Sequence, residues 1–232
     1  MHGMRETKSI DEMSDEEVAE YLQQADEKRT AAPSEHQLAG GAPAPYALLI
    51  LVCSLVGMTA SIGLLVSERT LLKDPDSALS CDLNPLVGCS DFLTSEYDTA
   101  FFGIPNAVWG LAFFSAIAAL AVAFLAKTRV ARWLWWLLCL AMVGASAWLG
   151  WFWHVSFFVK ESLCPFCLVT WAVTIPLIIH TWIRAAQAGH LPCTPKLRGF
   201  LVRWRWVIVL VVYLYVFALA YFTIGDKLSY IF

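Results

Sequence analysis

Four of the seven cysteines in this 232-residue chain are spaced for thiol chemistry. Cys164-Pro165-Phe166-Cys167 is a Cys-X-X-Cys run standing immediately before an apolar stretch. In a helix, residues i and i+3 share a face, so both sulfurs can point the same way. Pro165 suits the first helical turn, where its missing N–H is no loss. The positive end of the helix dipole favours the thiolate. Cys81 and Cys89 bracket Asp-Leu-Asn-Pro-Leu-Val-Gly, with turn chemistry at Asn84-Pro85 and Gly88. Zinc is the rival use of a Cys-X-X-Cys, but it wants four ligands, and the sequence has no second such motif or His pair; His154 stands alone. A static clasp is the rival use of Cys81 and Cys89. Together, a pair on a loop and a pair at a helix start suggest a thiol–disulfide relay, in which one pair reaches the other and also meets an outside partner.

The elements that must carry these residues follow from composition. The chain is 59% hydrophobic and 15% charged, against about 45–50% and 25% for a soluble domain, and its mean hydropathy is +0.61. The apolar residues are bunched, which excludes a water-soluble globule, a disordered chain and a nucleic-acid binder with basic patches. A bilayer core of roughly 30 Å needs about 20 apolar residues at 1.5 Å per residue. Five stretches qualify: Tyr46–Val66, Phe102–Ala126, Trp133–Val155, Pro165–Ile183 and Trp206–Ile224. They lack the alternation of a membrane barrel, so helices are expected. The expected fold is an all-α integral membrane protein with five transmembrane helices. Gly144-Ala145-Ser146-Ala147 in the third span is expected to allow close helix approach.

Charge sets direction. The net charge of −3 says little, because 10 of the 19 acids fall in the first 35 residues. Of the 16 Lys and Arg, 12 lie in the N-terminal tail and the connections after spans 2 and 4, and 4 lie on the other side. The positive-inside rule then puts the N-terminus in the cytoplasm and the C-terminus outside. Trp133, Trp135, Trp136, Trp182, Trp204 and Trp206 cluster at the inner interface, and Trp151 and Trp153 at the outer one. Residues 1–45 read as an acidic cytoplasmic tail and linker, largely disordered, with no cleavable signal peptide. Within them, Ser14 and Glu17 form a capping box opening a short helix, Asp15–Arg29, and Ala31–Pro45 is linker. Residues 46–183 form the core, with an exofacial loop over 67–101, and 184–232 form a cytoplasmic loop and the fifth helix. Cys53 and Cys139 fall inside spans as packing residues, and Cys193 is a reduced thiol in the cytoplasmic loop. The other four cysteines map to the oxidising side. Four cysteines allow three pairings, and the spacings favour Cys81–Cys89 and Cys164–Cys167.

On this map the sequence resembles the vitamin K epoxide reductase family, in its bacterial thiol-oxidising branch. The matching pieces are Cys81-Asp82-Leu83-Asn84-Pro85-Leu86-Val87-Gly88-Cys89-Ser90, Ser95, Ile104-Pro105-Asn106-Ala107-Val108-Trp109-Gly110 and Cys164-Pro165-Phe166-Cys167, in order across about residues 46–183. The resemblance implies a four-helix bundle core with a peripheral fifth helix, and a quinone pocket near the outer face. It makes Cys164 and Cys167 the redox centre, with Cys167 nearest the quinone, and Cys81 and Cys89 the shuttle pair. Asn106 matches an asparagine that hydrogen-bonds a quinone oxygen, although as a bare residue it also reads as a helix cap. Ser95 matches a loop serine or threonine near that site. Trp171, on the same quinone-binding wall, stands where animal relatives carry Tyr.

The function implied is a membrane thiol oxidase of the bacterial inner membrane, using menaquinone or ubiquinone and no metal. Many bacterial relatives continue into a fused thioredoxin-like domain, whereas this chain stops at Phe232, so a separate periplasmic thioredoxin-fold (DsbA-like) partner is expected. Two other classes compete. A non-enzymatic adaptor would use both disulfides as permanent staples. A metal transporter would be expected to carry charged or Met-rich intramembrane residues along a path, and the spans lack them.

Overall fold

In a computed structural model, which describes residues 14–19, 21 and 32–228, five helices are long and apolar enough to cross a membrane. They are α1 Ala44–Lys73, α2 Asn106–Leu125, α3 Arg132–His154, α4 Pro165–Gln187 and α5 Pro195–Leu228, and α3 runs on as a π-helical segment, Val155–Lys160. Among the described residues the only β structure is three isolated bridges. The expected all-α, five-span architecture is therefore the one found.

Three of the span limits that differ do so for a clear local reason. α1 continues to Lys73, beyond the apolar run, because the added residues are good helix formers at the bundle's end. α2 starts at Asn106 rather than Phe102. Phe102 and Gly103 take left-handed backbone (φ 56° and 68°), a bridge joins Phe101 to Ile104, and extended Pro105 then leads into the helix. α5 starts at Pro195, well before Trp206, with the Thr194 hydroxyl accepting from Leu197 N; a Thr cap followed by Pro is a strong helix start whatever the hydropathy.

Helix α4 lies at the centre, packing on α1, α3 and α5, while α1 also packs along α2. Half of the apolar window of α4 is buried against 11% for α5, which makes α5 peripheral to a four-helix core. Close approach occurs between α1 and α2. A Cβ on Gly57 would come within 2.5 Å of the Phe114 ring, and one on Gly110 within 2.8 Å of Ser61 Oγ. The expectation for Gly144–Ala147 is corrected, since a Cβ on Gly144 meets nothing within 4 Å. Gly144 and Ala145 border a cavity instead.

At the end away from the four paired cysteines, Tyr46, Phe124 and Trp135 form a buried aromatic cluster. This cluster also anchors part of the tail. Ser34 and Gln37 make a reciprocal capping box on the one-turn helix Glu35–Leu38. Gly40 O then accepts from Trp135 Nε1 at 3.0 Å and from Val130 N at 3.3 Å, with Ala42 buried behind it. The linker reading is thus corrected over residues 32–45, because backbone bonds to the bundle hold a segment whose composition suggested none. Ser14 and Glu17 form the expected capping box, and residues 15–19 are helical. Residues 1–13 and the remainder of Asp15–Arg29, apart from Tyr21, lie outside the described residues.

Candidate active site

Cys81, Cys89, Cys164 and Cys167 are all buried in one cluster at the other end of the bundle. The loop after α1 closes on itself through a Cys81–Cys89 disulfide with Cα atoms 5.8 Å apart. Its turn is built by Asn84, whose Oδ1 accepts from Leu86 N and Val87 N, both at 2.9 Å; this is the Asx chemistry that favours Asn before Pro in a turn. The turn is sewn to the segment entering α4, with Leu163 N donating to Leu86 O at 2.8 Å and Gly88 N to Leu163 O at 2.9 Å. Asp82 braces the returning arm of the loop, accepting from Cys89 N at 2.6 Å and Ser90 N at 3.1 Å on Oδ1, and from the Ser90 hydroxyl on Oδ2. Gly88 is needed there, because a Cβ would come within 2.7 Å of Asp82 Oδ1. Burial pushes the Asp82 carboxyl up, but the hydrogen bonds from Ser90, Cys89 and Leu79 outweigh it and hold the acid below its ordinary range.

These ties put Cys89 Sγ 3.8 Å from Cys164 Sγ. Cys81 faces the other way, its sulfur 3.9 Å from Ser67 Oγ at the end of α1. Cys164 caps α4, accepting from Cys167 N at 3.4 Å, with Pro165 behind it in the first turn. The Cys167 thiol hydrogen bond holds the Cys164 thiol below the ordinary cysteine value; burial opposes this, and the backbone N–H groups of Cys167 and Phe166 add to it. The nearby Asp82 charge works against the thiolate. Of the two expected pairs, the loop pair is bonded and the Cys164/Cys167 pair stands as open thiols.

Cys167 lies on the wall of a cavity of about 550 Å³ between the helices. Asn106, Trp171, Tyr97 and Asp98 line the same space, and most of the rest is aromatic and aliphatic. Trp171 sits edge-on to Trp153 and Phe157. The helix-cap reading of Asn106 is corrected: Pro105 is the cap, and Asn106 is the first helical residue. Its N–H donates to Asp98 O at 2.7 Å and its Nδ2 to Tyr97 O, which leaves one Nδ2 hydrogen and a buried, unpartnered Oδ1. A buried orphan acceptor is costly unless a ligand meets it. A flat dione head fits this wall, since Asn106 can donate to a carbonyl and accept from the hydroxyl it becomes.

Ser95 is not brought to the cavity wall. Its hydroxyl donates to Phe92 O at 2.6 Å and its carbonyl accepts from Asp98 N, so it braces the loop that delivers Asp98. The sequence reading missed Asp82, Tyr97 and Asp98. Asp82 carries a local signal, an acid placed to cap the turn at Ser90, whereas Asp98 reads as an ordinary loop acid. Cys81, Asp82 and Cys89 offer ligand atoms within 4.8 Å of one another, but the disulfide occupies both sulfurs.

The family model described as the vitamin K epoxide reductase family matches residues 48–182. The match takes in all four clustered cysteines and every cavity residue named above.

Proposed function

Because this chain belongs to the vitamin K epoxide reductase family, and so is a membrane thiol–disulfide oxidoreductase, we propose that it oxidises the dithiol of a separate thioredoxin-fold protein and passes the electrons to a membrane quinone. The 3.8 Å approach of Cys89 to Cys164, with Cys167 on the cavity wall, is the observation that carries this reading. Menaquinone and ubiquinone both supply the same chemistry, a lipid-soluble carrier taking two electrons and two protons at its carbonyl oxygens.

The order of sulfur attacks follows from which atoms face each other. A partner thiolate attacks Cys81, breaking the Cys81–Cys89 bond and leaving Cys89 as thiolate. Cys81 is only 5% exposed, so the loop must lift off Ser67 to admit the partner. Cys89 attacks Cys164 of an oxidised Cys164–Cys167 pair and releases Cys167 toward the cavity. The partner's second thiol then displaces Cys81, and Cys81 reattacks Cys89, freeing Cys164. Two electrons have moved from the partner's dithiol to Cys164 and Cys167. Both electrons would leave the pair through Cys167 on the cavity wall, where Asn106 would hold the accepting oxygen of a quinone; a fixed donor in a water-excluded site stabilises charge growing on such an oxygen.

The excess of Lys and Arg on the opposite side of the spans supports an orientation with the cysteine end facing out. We place the chain in a bacterial inner membrane, with oxidised partner feeding disulfides to secreted proteins. The test uses purified protein in lipid discs with a reduced thioredoxin-fold protein, following quinone absorbance and partner thiols together. Stoichiometric loss of both supports the reading; partner oxidation without quinone reduction, or neither, overturns it.

A further inference from the structure

The cavity beside Cys167 holds one acid. Among its lining residues Asp98 is the only carboxyl. It is 9% exposed, and among the described residues nothing hydrogen-bonds or pairs with its carboxylate. Its position is fixed by its backbone: Asp98 N donates to Ser95 O and Asp98 O accepts from Asn106 N, the residue that faces the dione. A buried carboxyl without a structural partner costs stability, which is the signature of a group kept for chemistry. We propose that Asp98 is the proton donor of quinone reduction, carrying a proton from the Cys167 thiol to the oxygen that Asn106 holds.

This inference rests on the thiol-oxidase reading and deepens it. Cys164 and Cys167 lose two protons and two electrons in forming their disulfide, and the dione gains two of each. Asp98 delivers its own proton to the nearer oxygen and is reprotonated by the proton that leaves Cys167 Sγ, so the protonated acid is the form that starts each turnover. The Cys164 proton goes to the outer aqueous phase, from which the far oxygen draws its own. The titratable and charged groups around Asp98 are Cys167 from α4, Glu68 from the end of α1, and Tyr97 beside it in the loop, over whose ring Lys160 lies at 6.0 Å. Burial first, and then the Glu68 charge, push the Asp98 carboxyl up to about 6. It therefore keeps a transferable proton close to working pH, where acid–base catalysis is most effective.

The experiment uses full-length protein in nanodiscs with a short-chain menaquinone analogue. Single-turnover quinone reduction by prereduced enzyme is followed across pH, and partner–loop exchange is assayed on the same samples. Asp98→Asn should lower quinone reduction about 100-fold near pH 6 and abolish the decline in rate as pH rises through about 6, with exchange unchanged. Asp98→Glu should restore part of the rate. Glu68→Gln should move the decline to lower pH, because removing the repelling charge makes Asp98 more acidic. Infrared spectra of quinone-free protein supply a readout independent of turnover: a protonated-carboxyl C=O band that titrates near pH 6 and is missing in Asp98→Asn. A parental rate and profile in Asp98→Asn, or no such band, overturns the assignment. If Asp98→Asn also loses exchange, the Glu68→Gln profile decides, its shift supporting the role and its absence overturning it. A parent protein that never reduces the quinone overturns the oxidase reading itself.

Discussion

Cys89 Sγ lies 3.8 Å from Cys164 Sγ, while Cys81, bonded to Cys89, turns away toward Ser67. The two loop sulfurs are therefore not equivalent: one faces Cys164 and the other faces Ser67.

Single-cysteine variants should trap different species. A partner whose second cysteine is replaced by Ser should accumulate a mixed disulfide to Cys81 of the parent on a non-reducing gel, whereas Cys89→Ser, with no loop disulfide to attack, should accumulate none. Cys81→Ser should instead form an internal Cys89–Cys164 bond, identified by peptide mass mapping. Cys167→Ser should stop quinone reduction with any thiol, whereas both loop variants should keep some turnover with a small dithiol that reaches Cys164 directly. The reverse trapping pattern would overturn the assigned direction of the relay.

Asn106→Ala should slow single-turnover quinone reduction by about 100- to 1,000-fold, the usual cost of one donor at a developing oxyanion. Asn106→Asp should be worse, because a carboxylate offers only acceptors. Asn106 also ties the loop through Tyr97 O, so partner–loop exchange is the control. A variant that loses exchange and quinone reduction equally would place Asn106 in loop structure alone.

The charge of Asp82 opposes the Cys164 thiolate, so removing it should favour that thiolate. In Asp82→Asn, which keeps an oxygen acceptor for Cys89 N, the pH midpoint for alkylation of reduced Cys164 should fall. The brace itself has its own pH dependence. The Asp82 carboxyl is held below its ordinary range, so its contribution is present above the unfolded value near 3.8 and is lost as pH falls through the lower folded value. In the parent, the loop disulfide should become more reducible by a phosphine only below about pH 4; an unchanged alkylation midpoint in Asp82→Asn would remove the electrostatic link.

Gly57→Ala should destabilise the bundle by about 1–3 kcal/mol, the usual cost of overpacking, because its new methyl meets the Phe114 ring at 2.5 Å. Gly150→Ala, with nothing within 4 Å, should unfold at the parental temperature or slightly above. Equal melting of both variants would mean that α1 and α2 separate easily.

The amino-acid sequence by itself determined the five spans, because a run of about 20 apolar residues has one stable solution in a bilayer. It also determined the loop pair, since Asn84-Pro85 and Gly88 turn the chain back on itself between Cys81 and Cys89. Cys164 as helix cap was legible too, in the Pro that follows it. These are local properties, settled by a residue's near neighbours. Which loop sulfur meets Cys164 was not legible, because it depends on backbone bonds between Leu86, Gly88 and Leu163, some 75 residues apart in the case of Gly88. The left-handed turn at Phe102 and Gly103 delays α2 and folds residues 97–105 over the cavity, which turns Ser95 into a brace and brings Asp98 to the wall. Hydropathy places a segment in the membrane one segment at a time, whereas a carboxyl, an amide and a thiol share a cavity only through long-range packing and the unusual backbone angles that packing sustains.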